Sequence, residues 1–366
     1  MTFVLPTYAP PDFARTEFSE CSVVVFKEVV QDGVAPDNYH STSIFPEYLQ
    51  IQKGEWRLIT ESRMDCVVVM DAYGILSVRE FRHLKAGEMV ACGRRENGED
   101  GILVHTAGFT FPRAVTEKFA FRTGITRETS FSIDYDELYA LLGYERENGF
   151  ILWTLGPATV FDRDSRNAFV RLIERGYVHA LHAGNALAVH DLEGAFFGTA
   201  LGQEIYSKRS VPAGHYKHLD AINRIRGLGS VANAVEAGHV KDGIMRAVEL
   251  KGIPSVLAGS IRDDGPLPEV IGDVYLAQDR MRDLTRQATT VVAMATQLHA
   301  IAIGNMVPSY KVEKERVRPV YFYSVDMSEF AVSKLADRGS LTARSILTNV
   351  QDFVVTLERG LKDRFG

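Results

Sequence analysis

Beyond residue 150 the chain alternates short apolar runs with longer segments of helical period, and this alternation limits the fold more than any other feature. Strands that are apolar on both faces must be covered on both faces, as parallel strands joined by helices are. The alternation therefore predicts an α/β fold built on a doubly wound parallel sheet. The predicted strands are FILWTL (150–155), YVHALHAG (177–184), IPSVLAGS (253–260), TVVAMAT (290–296), PVYFYSVD (319–326) and ARSILTNV (343–350).

The segments between these runs carry apolar residues at spacings of three and four, the period of one helix face. In the clearest segment, Val270, Val274, Ala277, Met281 and Leu284 form one stripe, which predicts a helix that begins near Val270. Three further predicted helices lie within 164–176, 329–339 and 350–365.

The N-terminal part has a different character. Its apolar runs are short, rich in Val and Ile, and separated by Gly, Asp and Asn, which is typical of strands. Segment 85–109 contains a Glu-Asn-Gly-Glu-Asp-Gly turn between two apolar runs and predicts a β-hairpin. We expect a β-rich N-terminal domain over 1–120, a connecting segment over 121–149 and the α/β domain over 150–366. The N-terminal strands are predicted in 21–30, 47–52, 65–71 and 74–81.

Composition excludes several classes of protein. The apolar fraction of 46% and the charged fraction of 24% are those of a globular chain, and a net charge of −6 argues against a nucleic-acid partner. No apolar run approaches the roughly 20 residues of a membrane span, and the first residues lack the pattern of a secretory signal, so we expect no membrane partner and a cytoplasmic protein. Cys21, Cys66 and Cys92 stand singly, which leaves free thiols or one nucleophile. The histidines show no metal-binding spacing, so we predict no metal.

The ends of the predicted strands carry small and polar residues. In an open parallel sheet, ligands bind beyond the carboxyl ends of the strands, where Gly lets a ligand approach the backbone and helix N-termini favour phosphate. Each loop taken alone is equally consistent with a tight turn. The positions that follow the strands include Gly156, Pro157, Gly184, Asn185, Gly259, Ser260, Arg262, Asp263, Asp264, Thr296, His299 and Asp326.

Asp326 ends the second strand of a predicted β-α-β unit. An acidic side chain at such a position can accept both ribose hydroxyls of adenosine and disfavours the 2′-phosphate of NADP, which indicates NAD as cofactor and a Rossmann-like sheet. Asp326 could instead cap a helix that begins at Glu329. The expected glycine fingerprint is missing after 290–296, and the formal GxGxxA at 227–232 follows a helical segment, so we interpret it as a turn between helices.

Several side chains on the same edge could move protons. His182, His190 and His299 titrate near neutral pH when unperturbed, although a single His is more often structural. Asp191, Glu193, Asp263 and Asp264 supply carboxylates, and Asp263 with Asp264 could also form a simple solvated turn.

Four long strings carry a family resemblance: AGNALAVHDLE (183–193), LAGSIRDDGPLPEVI (257–271), ATQLHAIAIGNMVPS (295–309) and VDMSEFAVSKLADRGS (325–340). They strongly resemble the archaeal type of ornithine cyclodeaminase, the C-terminal part of the cyanobacterial bifunctional arginine dihydrolase/ornithine cyclodeaminase, and the lysine-ketoglutarate reductase/saccharopine dehydrogenase conserved region. The resemblance is close over 150–366 and looser in the N-terminal strings YHSTSIFPEYLQ (39–50) and GRRENGEDGILVH (93–105). Nothing in this chain corresponds to the separate dihydrolase domain of the bifunctional relatives.

The resemblance implies conversion of L-ornithine to L-proline and ammonia with NAD, through removal of a hydride from Cα and its return to a cyclic imine. It implies an amino-acid substrate, and we also expect a homo-oligomer. We assign Asp191 or Asp263 as base or ammonium partner and Arg262 or Arg122 as carboxylate partner, with His40 reaching in from the N-terminal domain. The cofactor residues are predicted to be Gly156, Pro157, Gly184, Asn185, Gly259, Ser260, Asp264, Thr296, His299, Asn305 and Asp326.

Two other functions fit the same residues. An NAD-dependent amino-acid or imine dehydrogenase would consume the cofactor because the hydride would not return. A non-catalytic NAD-binding sensor would bind NAD without turning over any amino acid.

Overall fold

The C-terminal domain is built on one six-stranded parallel sheet, in a computed structural model that describes residues 3–111, 132–328 and 340–366. The spatial order of the strands is β15-β12-β11-β16-β19-β20. In order of sequence this is 3-2-1-4-5-6, the doubly wound Rossmann arrangement, so the predicted α/β class and sheet are confirmed. The strands are β11 (Ile151–Leu155), β12 (Ala180–Gly184), β15 (Ser255–Ala258), β16 (Thr290–Met294), β19 (Tyr321–Asp326) and β20 (Thr342–Leu347).

Helices cover both faces of this sheet, as the apolar strands require. One apolar core lies between the sheet and α3 (Arg163–Glu174), α4 (Asn185–Phe197), α7 (Ile244–Lys251) and the C-terminal helix α10 (Val350–Phe365). A second core lies between the other face and α8 (Val274–Thr285) and α9 (Gln297–Met306). An excursion between α4 and α7 contains β13 (Thr199–Ala200), β14 (Gln203–Glu204), α5 (Lys217–Leu228) and α6 (Val231–Glu236).

Helix α8 begins later than its apolar stripe predicts. The carboxylate of Asp273 accepts hydrogen bonds from the backbone N–H groups of Tyr275 and Leu276, and so caps a helix that starts at Val274. Ile271 instead pairs with Ala258 at the end of β15, so the predicted start at Val270 is wrong. The motif at 227–232 lies between α5 and α6, where Gly229 has φ +87°, and its interpretation as a turn between helices is confirmed.

The segment that the sequence assigns to a connection contains α2 (Ser132–Asn148). Leu138, Leu141 and Leu142 of α2 are buried in the same core as the sheet. A Cβ on Gly143 would overlap with the ring of Phe365 in α10, so the two helices approach closely. Helix α2 is therefore packed as part of the C-terminal domain.

The N-terminal domain is β-rich, and its strands form small antiparallel sheets. The hairpin predicted in 85–109 forms only at its turn, where an antiparallel bridge joins Asn97 to Leu103. Its two apolar runs do not pair with each other, because β8 pairs with β2 and β6 whereas β9 pairs with β3 in another sheet. Besides α1 (Thr16–Ser19), the described elements are β1 (Thr7–Tyr8), β2 (Val25–Glu28), β3 (Glu47–Gln52), β4 (Glu55–Leu58), β5 (Glu61–Ser62), β6 (Val67–Met70), β7 (Leu76–Arg79), β8 (Met89–Cys92), β9 (Ile102–Val104) and β10 (Phe109–Thr110).

The two domains share a sheet and a cluster of charges. The hairpin formed by β17 (Tyr310–Glu313) and β18 (Arg316–Pro319) leaves the C-terminal domain, and β17 pairs with β5. The carboxylate of Glu80 accepts hydrogen bonds from Arg63 at 2.6 Å, from Arg82 at 2.9 Å and from Arg282 of α8. These contacts hold the N-terminal domain against α8 and the β17–β18 hairpin.

Candidate functional site

The backbone is tightly packed at the carboxyl ends of β11 and β16, the neighbouring strands at which the strand order reverses. A Cβ on Gly156 would overlap with the carbonyl oxygen of Ala295, and the Gly156 N–H donates to the Met294 carbonyl at 2.9 Å. Ala295 itself has φ +57°, a left-handed conformation that residues with a side chain adopt at a cost. Strain of this kind collects at functional sites, and this crevice is where doubly wound folds bind ligands.

A second close approach joins β12 to α9. A Cβ on Gly184 would lie 3.2 Å from Cε1 of His299, so the imidazole lies over the end of β12. Burial lowers the pKa of His299, and the nearby charge of Asp263 acts in the opposite direction. The structure thus brings Gly184, Asp263 and His299 together at one end of the sheet.

Two helices that start at this crevice lack side-chain caps. The N-cap residues of α4 and α9, Gly184 and Thr296, make no side-chain hydrogen bond to the first helical turn. By contrast, α3, α8 and α10 are capped by Asp162, Asp273 and Asn349. Uncapped N–H groups together with the positive ends of two helix dipoles favour an anion such as a pyrophosphate. The geometry of the crevice therefore fits a dinucleotide.

The loop after β15 is held by residues that the sequence assigns to the cofactor. Asn185 accepts a hydrogen bond from the N–H of Leu267 at 3.1 Å, and a Cβ on Gly259 would lie 2.9 Å from the Ile271 carbonyl oxygen. The Ser260 N–H donates to Asp263 at 2.8 Å. These contacts support the tight-turn interpretation of this loop, while Pro157 starts the short 3-10 turn that follows β11.

Asp326 is the last residue of β19, as the sequence predicts. Its carboxylate accepts a hydrogen bond from the Ser328 N–H at 2.8 Å. The helix that it could cap falls within 329–339, outside the described residues. In the half of the sheet formed by β16, β19 and β20, Asp326 ends the second strand of a β-α-β unit. In the other half, Asn185 follows the corresponding strand, β12.

Asp191 is not available as a base, which corrects the sequence prediction. Its carboxylate is fully buried and binds Nε of Arg166 at 2.6 Å. It also accepts the N–H groups of Ile244 and Met245 at 3.0 and 2.8 Å. Asp191 therefore anchors the N-terminus of α7 to α3 and α4.

Asn305 lies at the wrong end of its helix for a cofactor contact. It is the ninth of the ten residues of α9, so it stands about 12 Å along the helix from the crevice. Its carbonyl accepts a hydrogen bond from Arg63 of the N-terminal domain at 2.8 Å. Asn305 thus takes part in the domain interface.

The remaining predicted residues lie in different parts of the structure. Arg262 and Asp264 are exposed on the loop after β15, and Arg122 lies outside the described residues. His40 is buried in the N-terminal domain, where Nε2 lies 2.8 Å from the Glu47 carboxylate. Ala295 follows the fourth strand of the sheet as the sequence predicts, but its left-handed conformation was not predicted, because alanine carries no sequence signal for it.

His182 cannot carry protons near neutral pH. It is fully buried in β12, both ring nitrogens lack a hydrogen-bond partner among the described residues, and burial lowers its pKa to about 3. His190 is bound to Glu193 at 2.8 Å and packs against Phe161, which is a structural arrangement. Only His299 of the three histidines lies at the crevice.

A metal centre, a membrane span and a nucleophilic thiol would each leave a recognisable arrangement in the described parts of the chain. No three His, Cys, Asp and Glu side chains converge there on a point that could hold a metal ion. None of the described helices is long and apolar enough to cross a membrane. The three thiols are buried, and burial raises the pKa of Cys66 to about 11, which favours free thiols over a nucleophile.

Comparison with known proteins agrees with this geometry. Residues 139–357 match the family model described as arginine dihydrolase ArgZ-like, C-terminal, Rossmann fold. The ornithine cyclodeaminase of Methanopyrus kandleri is 38% identical over 90% of this chain and 76% of its own length. The bifunctional arginine dihydrolase/ornithine cyclodeaminase AgrE of Nostoc is 34% identical, and the chain spans 46% of its length.

Solved structures show the same relationship. A conserved LOR/SDH protein from Methanococcus maripaludis superposes with a TM-score of 0.82 at 33% identity, over 93% of this chain and 99% of that one. The ternary complex of AgrE with ornithine and NAD+ superposes with a TM-score of 0.59 at 31% identity, over 94% of this chain and 46% of that one. The chain therefore belongs to the archaeal-type ornithine cyclodeaminase family of enzymes, with the ArgZ-like Rossmann domain as its C-terminal part.

Proposed function

We propose that the protein converts L-ornithine to L-proline and ammonia with NAD as a cofactor that is regenerated in each turnover. One observation carries the proposal: the uncapped N-termini of α4 and α9 meet at the reversal point of the sheet, beside Gly156 and Gly184. This is the arrangement that a dinucleotide pyrophosphate requires. The family relationship supports ornithine as the substrate.

The crevice residues suit different parts of the cofactor. Gly156, Pro157, Gly184 and Thr296 leave room for the pyrophosphate, because bulky side chains are absent where the strands end. We propose that Asp326 binds a ribose through its carboxylate, with the half of the sheet that carries it receiving one mononucleotide. We propose that four neighbouring residues line the side of the cofactor site: Asn185, Gly259, Ser260 and Asp264.

The reaction needs no external oxidant. NAD supplies a reversible acceptor for the hydride of the substrate Cα, so oxidation and reduction balance within one turnover. In the substrate, loss of the hydride leaves an imine, the distal amine attacks its carbon and ammonia leaves, and return of the hydride to the cyclic imine gives proline. His299 borders the crevice, and we propose that the nearby carboxylate of Asp263 attracts an ammonium group of the substrate.

The test follows hydrogen from Cα. With L-ornithine deuterated at Cα and a catalytic amount of NAD, we expect ammonia release and proline that carries deuterium at Cα, without lasting NADH absorbance. Mass spectrometry of the proline and absorbance at the NADH band measure both quantities. Proline without deuterium, or NADH formed in proportion to substrate, would contradict the proposal and favour an amino-acid or imine dehydrogenase.

A further inference from the structure

The N-terminal domain contains a pocket of about 130 Å³ lined by Tyr39, His40, Ser41, Gly93, Arg94 and Glu96. Two sequence strings meet there, 39–50 and 93–105, which lie far apart in the chain. The chain at the start of each string is joined by hydrogen bonds from the Gly93 N–H to the Asn38 carbonyl at 2.8 Å and from the His40 N–H to the Ala91 carbonyl at 2.9 Å. A pocket of this size holds about four water-sized groups, enough for the polar end of a small molecule.

Arg94 provides an unpaired positive charge at this pocket. Its guanidinium lies over the Tyr39 ring, 5.4 Å from the centroid, and it makes no ion pair within the described residues. The adjacent Arg95 differs, since it binds Asp100 at 2.8 Å. Asp100 also accepts the N–H groups of Arg94 and Arg95, at 2.9 and 3.1 Å, so the backbone beside the pocket is held in place. An arginine stacked on a ring and free of carboxylates is suited to bind a carboxylate.

His40, which lines the pocket, forms a buried dyad with Glu47. Glu47 is fully buried, and its Oε1 accepts the N–H and the hydroxyl of Ser43 at 2.5 and 2.6 Å. Its Oε2 lies 2.8 Å from Nε2 of His40. Nδ1 of His40 makes no hydrogen bond within the described residues, and His40 lines the pocket. A buried carboxylate that orients an imidazole in this way prepares its other nitrogen to accept a proton.

The pocket lies close to the α/β domain. The ring of Tyr39 contacts that of Phe81 with 5.0 Å between centroids. The next residue, Arg82, lies 5.3 Å from the ring centroid of Tyr275 in the first turn of α8. That turn follows the loop beyond the carboxyl end of β15, on the edge of the sheet that carries the crevice.

We propose that this pocket binds the amino-acid substrate, with Arg94 holding the α-carboxylate and His40 accepting a proton from the α-ammonium group. The N–H bond of the ammonium breaks, the proton passes to Nδ1 of His40, and the nitrogen keeps its electron pair as a neutral amine. Glu47 is a positioning residue, since it acts through His40. The proposal rests on the proposed function for the identity of the substrate.

Arg94 is tested by comparing it with its neighbour. In full-length protein with NAD, Arg94→Ala should weaken ornithine binding by calorimetry, or raise KM, at least tenfold while the NAD Kd changes less than twofold. Arg94→Lys should recover part of the loss. Arg95→Ala removes the same charge one residue away and should leave both constants unchanged. Equal ornithine affinity in Arg94→Ala and Arg95→Ala would overturn the proposal.

The dyad is tested by the division between kcat and KM. His40→Ala should lower kcat about 100-fold or more with little change in the NAD Kd, and added imidazole should restore part of the rate. Glu47→Gln should lower kcat with a smaller change in KM, and the thermal melt shows whether either variant is folded. Unchanged kcat in folded His40→Ala would refute the proton transfer. If wild-type protein does not turn over ornithine, the proposed function fails, whereas binding of amino acids to Arg94→Ala and Arg95→Ala still decides the pocket.

Discussion

At the scale of single residues, His182 shows how burial can remove a titratable group from chemistry. The imidazole lies beside Thr154 on the neighbouring strand, and its ring nitrogens and the Thr154 hydroxyl all lack partners within the described residues. A buried polar group without a hydrogen bond costs free energy, and a buried charge costs more. The folded protein consequently keeps His182 neutral.

The lowered pKa of His182 makes the folded protein less stable in acid. The pKa of His182 is lowered to about 3 in the folded protein, whereas it is about 6.5 in the unfolded chain. Its contribution to the free energy of unfolding is therefore fully present above about pH 6.5 and is lost as the pH falls below that value. Between pH 7 and pH 5 wild-type protein should lose about 2 kcal/mol more unfolding free energy than His182→Gln. Urea unfolding at the two pH values measures the difference. Parallel pH dependence in both proteins would show that folding does not lower the pKa of His182.

Asp326 offers a residue-scale test of the cofactor site. Asp326→Asn keeps the size of the side chain and an acceptor for the Ser328 N–H, but removes the charge. We expect NAD affinity to fall by about 1–3 kcal/mol and discrimination against NADP to relax, because charge-assisted hydrogen bonds to ribose are lost. Titration with each nucleotide measures both effects. Unchanged NAD affinity would remove Asp326 from the site.

At the scale of elements, two helices that begin at the crevice lack side-chain caps, as α5 also does elsewhere in the domain. Helices α3, α8 and α10 satisfy their first N–H groups with Asp or Asn side chains, whereas α4 and α9 begin on Gly184 and Thr296 without such bonds. Capping by a side chain stabilises a helix by about 1 kcal/mol. Its absence at two helix starts beside the reversal point is consistent with N–H groups kept for a ligand.

Gly184→Ala tests the approach of β12 to α9. The added Cβ would lie 3.2 Å from Cε1 of His299, so the imidazole at the crevice must shift by a few tenths of an ångström. NAD binding should weaken at least threefold, while the melting temperature changes little. Gly227→Ala in α5 is the control, since nothing lies within 4 Å of its Cβ and a helical Gly→Ala change stabilises by about 0.5–1 kcal/mol. Wild-type NAD affinity in Gly184→Ala would place the cofactor elsewhere.

At the scale of the whole molecule, charges join the two domains. Burial alone would raise the pKa of Glu80, but hydrogen bonds and charge from Arg63 and the charge of Arg282 bring it below its usual value. One carboxylate thus compensates guanidinium groups from both domains. The β5–β17 pairing adds backbone hydrogen bonds to the same interface.

Glu80→Gln should therefore destabilise the protein by about 3 kcal/mol, because the largely buried Arg63 loses its counter-charge, whereas Arg82 and Arg282 keep Asp279. Glu55→Gln is the matched control. Glu55 pairs with Arg57 at 2.6 Å, but the two side chains are 43% and 41% exposed, so its loss should cost less than about 1 kcal/mol. Chemical denaturation of the two variants measures the difference. Equal stability would mean that the interface does not depend on Glu80.

The sequence by itself determined the class of the fold and the position of the crevice. Each of the six sheet strands lies inside or within one residue of an apolar run, because apolar periodicity and Gly and Pro punctuation are local properties. Gly156, Gly184 and Thr296 could be assigned to one edge for a similar reason: parallel strands all end on the same side.

Only the tertiary structure decided which partners these residues have. The sequence does not distinguish Asp191 from a free carboxylate. In the structure its partner is Arg166, 25 residues earlier in the chain. An antiparallel bridge closes the turn near residue 97, but β8 and β9 pair with strands from elsewhere in the N-terminal domain, in two different sheets. The pocket at His40 and Arg94 likewise arises from strings that become neighbours only in the fold. Burial and pairing depend on contacts between distant segments, and a local pattern carries no record of them.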